Sequence, residues 1–135
     1  MKIKLIISTI VLLSNGLIAQ VPNELLKALH QVESSGRYGA IIGDGGRALG
    51  PFQIHKGYWQ DATDYDKSIK GKYSDCADYD YSVKVINAYI KRYAKSAVAT
   101  RNFEKIARIH NGGPLGYTNK NTLKYWKKVE VAMGK

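Results

Sequence analysis

A single cysteine, Cys76, stands in this chain of 135 residues, so no internal disulfide can staple it. A lone thiol with no histidine at a recognisable spacing is a structural or incidental residue rather than a nucleophile. The fold must be held by a packed core alone, and its compartment need not be strongly oxidising. Metal-ligand spacing is also missing: His30, His55 and His110 are far apart and unpaired. The stretch 61–81 carries Asp61, Asp64, Asp66, Asp75, Asp78 and Asp80. It lacks the regular oxygen-ligand spacing of a calcium loop and the glutamate that closes one, so it reads as a loop with a short helical turn. No internal repeat, low-complexity tract or linker divides the chain, and its length suits one domain.

Acidic residues are also scarce: 11 Asp and Glu face 21 Lys and Arg, giving a formal charge of +10. The one long apolar run lies at the start. A basic Met1-Lys2-Ile3-Lys4 precedes apolar residues 5–13, interrupted only by Ser8 and Thr9, and Leu17-Ile18-Ala19 leaves a small residue at a cleavage position. Residues 1–19 therefore read as a secretory signal peptide, too short to span a membrane comfortably. The expectation is a secreted protein, extracellular or periplasmic, with no stable membrane association and a monomeric state. Its domain would run over 20–135, 116 residues with a charge of +8. That length supports a modest core. That charge favours an anionic partner, and cell-wall polymers, acidic polysaccharides and nucleic acids all qualify. No nucleic-acid-binding motif is present, which ranks nucleic acid last.

The most informative stretch is 30–54, HQVESSGRYGAIIGDGGRALGPFQI. Leu25, Leu26, Leu29 and Val32 repeat at helical spacing, predicting a helix over 23–35 with Asn23 as its N-cap. Glu33 lies four residues beyond Leu29, on the same apolar side. Gly36 can supply the left-handed residue that ends the helix. The negative end of the helix dipole and partial burial both disfavour a charged carboxylate there, a condition that suits a general acid. An interfacial glutamate paired with a lysine or arginine would look the same. Asp44 differs: it sits among Gly36, Gly39, Gly43, Gly45, Gly46 and Gly50, in a loop or short hairpin with residues 38–42 as one strand. A solvated loop keeps Asp44 ionised, although Asp-Gly is also an ordinary turn signal. Two carboxylates in contrasting environments facing one gap are what glycoside hydrolysis needs.

Gly50-Pro51 predicts the start of a second helix, with Phe52, Ile54, Tyr58 and Trp59 on its apolar side and Gln53 and His55 off it. A third helix is expected over 80–99, with Val83, Ile86, Tyr89, Ile90, Tyr93 and Ala97 in one stripe. Its lysines and arginines mark a solvated face. Asn102 caps a fourth, 103–110, stopped by Gly112-Gly113-Pro114. A fifth, 122–133, presents Leu123, Trp126 and Val129 inward. Tyr38, Tyr58 and Tyr117 flank the segments of the expected cleft, where rings can stack on sugars or simply pack. The fold class is α+β, mostly helical, with a short β-hairpin flanking a cleft.

VESSGRYG at 32–39 and GDGGRALGPFQIHKGYWQDA at 43–62, with ARIHNGGPLGYT at 107–118 and TLKYWKKV at 122–129, resemble the invertebrate-type, destabilase-like lysozymes. The resemblance implies a lysozyme-like fold and hydrolysis of the β-1,4 bond between N-acetylmuramic acid and N-acetylglucosamine in peptidoglycan. It places Glu33 as general acid and Asp44 as second carboxylate. Gln53, Tyr58, His110 and Asn111 become candidate substrate contacts, with His110 orienting a sugar or bonding the second carboxylate. No cofactor or metal is needed. The ES-G and GPFQI core also occurs in lytic transglycosylases, which need only the glutamate, and a non-catalytic wall-binding module is the remaining alternative. Animal members of the family are rich in disulfides, and this chain departs from them. Destabilase-like isopeptidase activity needs a serine in the loop before GPFQI. Here that loop reads Gly-Gly-Arg-Ala-Leu, so that activity is not expected.

Overall fold

The computed structural model describes residues 19–135. The signal-peptide reading of 1–19 falls, but for Ala19, outside the described residues. The first helix, α1, spans Asn23–Ser34 and buries Leu25, Leu26 and Leu29. Asn23 is its first helical residue rather than its cap. Pro22 holds the cap position in extended conformation, and its carbonyl accepts from the amides of Leu25 and Leu26. The left-handed turn that ends α1 is made by Ser35 as well as Gly36, with φ of 57° and 73°.

The glycine-rich stretch forms the expected hairpin, with its first strand at 42–43 rather than 38–42, and a third strand extends it, each strand two residues long. β1 (Ile42–Gly43) pairs antiparallel with β2 (Ala48–Leu49), which pairs with β3 (Ile54–His55). A turn of 3-10 helix, Asp44–Gly46, joins β1 to β2. The second helix does not begin at Pro51. Gly50 and Gln53 take φ of 84° and 51°, which no right-handed helix accommodates. The chain turns there, adds β3, and enters α2 only at Lys56–Tyr65.

The stretch after α2 holds a 3-10 turn at Tyr73–Ala77. α3 then runs from Tyr79 to Ala99, and the Asp78 side chain caps it by accepting from the Tyr81 amide. It buries Ile86, Tyr89, Ile90 and Ala97 as the spacing requires, and also Val85, Ala94 and Val98, while Val83 and Tyr93 are half-buried. α4 (Phe103–Gly112) is capped by Asn102 through the Lys105 amide. α5 (Leu123–Ala132) buries Val129 and half-buries Trp126, but Leu123 is exposed. α3 packs against α2 and α4, and α5 against α1 and α4. One apolar cluster results, with Leu25, Leu29, Phe52, Ile54, Ile86, Ile90, Ile106 and Ile109 almost wholly enclosed. The first and last helices are therefore neighbours, and the sheet lies beside the C-terminal end of α1. No helix of the described residues is long and apolar enough to cross a membrane.

Candidate active site

α1, the sheet, α2 and α4 leave a cleft of about 730 Å³ between them. Glu33, Asp44, Gln53, Tyr58, His110 and Asn111, all named from the sequence, line it.

Glu33 occupies the last turn of α1, where the spacing from Leu29 turns it inward, and its side chain is only 17% exposed. The Tyr125 hydroxyl on α5 donates to Glu33 Oε1 at 2.7 Å. His110 Nε2, near the end of α4, lies 3.6 Å from the same oxygen. So the partners of Glu33 are a phenol and an imidazole, not the lysine or arginine of a surface ion pair. Tyr58 on α2 stacks on Tyr89 with ring centroids 3.6 Å apart. Its hydroxyl lies 2.9 Å from His110 Nδ1. Burial holds the Tyr58 hydroxyl well above the usual phenol range, reinforced by Tyr89 and by Glu33. Burial does the same for Tyr125, with Glu33 again adding to it. Both phenols are therefore neutral wherever enzymes ordinarily work.

Asp44 is built differently. It sits in the 3-10 turn at φ 50°, a left-handed position that aspartate tolerates better than most residues, and its side chain is 47% exposed. Arg47 Nη2 reaches Oδ1 at 3.0 Å and His55 Nε2 reaches Oδ2 at 3.1 Å. Both oxygens of Asp44 face cationic or polar donors in a wet loop, whereas Glu33 is enclosed. The two carboxyl groups thus line one cleft in contrasting surroundings, one 17% and the other 47% exposed.

Gln53 lines the cleft, but its amide Nε2 donates to the carbonyls of Ile41 and Gly50, each at 3.0 Å. It braces the sheet around Asp44 from a left-handed backbone position. Asn111 follows His110 near the end of α4 and is exposed. His110 addresses Glu33 rather than the second carboxylate; His55 is the histidine on Asp44. Tyr38 packs against His30 and Tyr79, and Tyr117 lies beneath Lys105 and Arg108. Neither lines the cleft. Among the described residues no group of three or more His, Cys, Asp and Glu side chains is placed to hold a metal ion.

Sequence reasoning missed Tyr125, His55 and Arg47. Tyr125 lies within the TLKYWKKV segment, yet helical spacing groups it with neither the buried nor the exposed side. His55 stands out in the sequence only as an unpaired histidine lying off an apolar stripe, and Arg47 only as part of a loop.

The profile of a protein family described as Destabilase matches residues 23–132. A lysozyme of Magallana gigas is 36% identical over 112 residues, 82% of this chain and 80% of that protein. An invertebrate-type lysozyme of Ruditapes philippinarum is 35% identical over 116 residues, 84% of this chain and 83% of its own length. Among solved structures, Tapes japonica lysozyme superposes with a TM-score of 0.64 at 34% identity, covering 81% of this chain and 88% of that one. An inhibitor-bound lysozyme from Meretrix lusoria superposes with a TM-score of 0.67 at 30% identity, covering 82% and 89%.

Proposed function

The chain belongs to the destabilase family of invertebrate-type lysozymes, and from that premise we propose that Glu33 and Asp44 carry a muramidase reaction on peptidoglycan. The bond cut is the β-1,4 link between N-acetylmuramic acid and N-acetylglucosamine. The observation that carries this assignment is the pairing of an enclosed carboxyl with a solvated carboxylate on one cleft.

Glu33 protonates the glycosidic oxygen as the bond to the anomeric carbon breaks. Asp44, held by Arg47 and His55, meets the positive charge that develops at that carbon, either by attack or by electrostatic stabilisation. Water completes the hydrolysis, and Glu33 recovers its proton from it. Nothing in this sequence of steps requires a cofactor. Tyr58 and Asn111 offer a ring and an amide to the sugar chain, while Gln53 and His110 act mainly by holding the two carboxyl groups. The protein works as a secreted monomer after loss of its leader. Its charge of +8 in that form draws it to anionic wall polymers.

Digestion of purified peptidoglycan tests this reading, with products identified by mass spectrometry. Wild type is expected to release muropeptides with reducing ends. Glu33→Gln is expected to lose about 10²–10⁴-fold in rate, the range for removing one acid or base group, and Asp44→Asn about 10²–10³-fold, the range for removing one electrostatic stabiliser. Anhydro-muropeptides together with an active Asp44→Asn variant would show a lytic transglycosylase instead. Wall binding without any cleavage by wild type would show a binding module.

A further inference from the structure

We propose that Tyr125 is a positioning residue for the acid: its hydroxyl, donated to Glu33 Oε1, makes Oε2 the oxygen that carries and delivers the proton. This rests on the reading of Glu33 as the general acid.

A carboxyl group has two oxygens, and a general acid delivers its proton well from only one direction. Among the described residues the one hydrogen bond to the Glu33 carboxyl meets Oε1. Tyr125 makes the short contact at 2.7 Å, and His110 Nε2 stands off the same atom at 3.6 Å. The Tyr58 hydroxyl lies 2.9 Å from His110 Nδ1 and holds the imidazole in place beside that oxygen. The hydroxyl donated to Oε1 opposes a proton on that atom. The proton therefore resides on Oε2. It passes from Oε2 to the leaving oxygen, and the negative charge left on the carboxylate is met at Oε1 by the Tyr125 hydroxyl. Tyr125 keeps its own proton throughout, so no further acid or base enters the balance.

The arrangement fixes a pH effect. Titratable groups facing this part of the cleft are Tyr58 and Asp61 from α2, Tyr89 from α3, His110 from α4, Tyr125 from α5, Asp44 from the turn between β1 and β2, and His55 from β3. Of these, Tyr125 and His110 contact the Glu33 carboxyl. A donor to a carboxylate favours its ionised form. Removing the hydroxyl therefore makes Glu33 hold its proton to higher pH.

The experiment is Tyr125→Phe, which keeps the ring, assayed from acid to alkaline pH on a soluble peptidoglycan fragment. The alkaline limb of kcat is expected to move upward by about one pH unit, and kcat at the optimum to fall roughly tenfold with KM little changed, the scale of one charge-assisted hydrogen bond. A lower kcat with an unmoved alkaline limb would mean that the tyrosine only packs, and would overturn the proposal. A second measurement needs neither the variant nor activity. In wild type, NMR follows the Tyr125 hydroxyl proton and the carboxyl carbon of 13C-labelled Glu33 through a titration. A shared midpoint is expected, and a hydroxyl resonance indifferent to Glu33 ionisation overturns the proposal. Because this titration is independent of turnover, its failure is distinct from failure of the muramidase reading.

Discussion

Two glycines next to the sheet show how closely single atoms set the Asp44 side of the cleft. A methyl group at Gly43 would lie 1.9 Å from Gln53 Oε1. Gly43 has ordinary extended dihedrals, so the conflict concerns the brace and not the backbone. Gly43→Ala is expected to push the Gln53 amide off Ile41 and Gly50 and loosen the Asp44 turn. Muramidase activity should fall more than the melting temperature does, and comparing the two readouts checks this. Gly50→Ala is harsher. At φ 84° its Cβ would sit 1.9 Å from the backbone oxygen of Cys76, which has no flexible end to withdraw. A loss of about 1–3 kcal/mol in denaturant titration is expected, the range for a strained backbone position. Cys76 itself is buried, and burial pushes its thiol up to about 12. At pH 8 the folded protein should therefore resist alkylation by iodoacetamide and take up one label only once unfolded, as counted by intact mass.

Among the elements, α4 joins a cap at one end to the cleft at the other. The Asn102 side chain accepts from the Lys105 amide at 3.1 Å, while His110 and Asn111 come near the last turn. Asn102→Ala is expected to cost about 1 kcal/mol, read as a lower melting temperature with kcat little altered. This helix, its cap and its glycine stop are all legible in the sequence, and the bodies of α1 and α3 are legible from their apolar spacing, though not their caps. β3 and the start of α2 are not. Gly50-Pro51 looks like a helix start, and only the tertiary pairing of Ile54 with Leu49 and the left-handed Gln53 turn the chain the other way. At the site, Glu33 and Asp44 can be named from local context and family resemblance. Tyr125 cannot, since 92 residues separate it from its partner and no periodicity encodes a contact between helices at opposite ends of a chain. His110 can be placed at the cleft by family resemblance, but its approach to Glu33 and that of His55 to Asp44 are contacts made only on folding.

Across the whole molecule, the tyrosines set an alkaline limit on stability. Tyr58 and Tyr125 are raised well above the phenol range, and Tyr89 to about 12, each mainly by burial. Their folded values lie above the unfolded ones, so the folded state holds protons that the unfolded chain releases near pH 10. Stability is fully present below that pH and declines as pH rises from about 10 toward the folded values. Melting temperatures by circular dichroism should fall steeply over this window, and the ultraviolet signal of the buried phenolates should appear together with unfolding rather than ahead of it. The meeting of α1 and α5 has a consequence in time. Synthesis delivers Glu33 ahead of Tyr125 by 92 residues, so under the proposed roles a nascent chain holds the acid before the hydroxyl that orients it. Under the same roles, a cut ahead of α5 that releases the helix leaves both carboxyl groups in place and removes the hydroxyl that orients one of them.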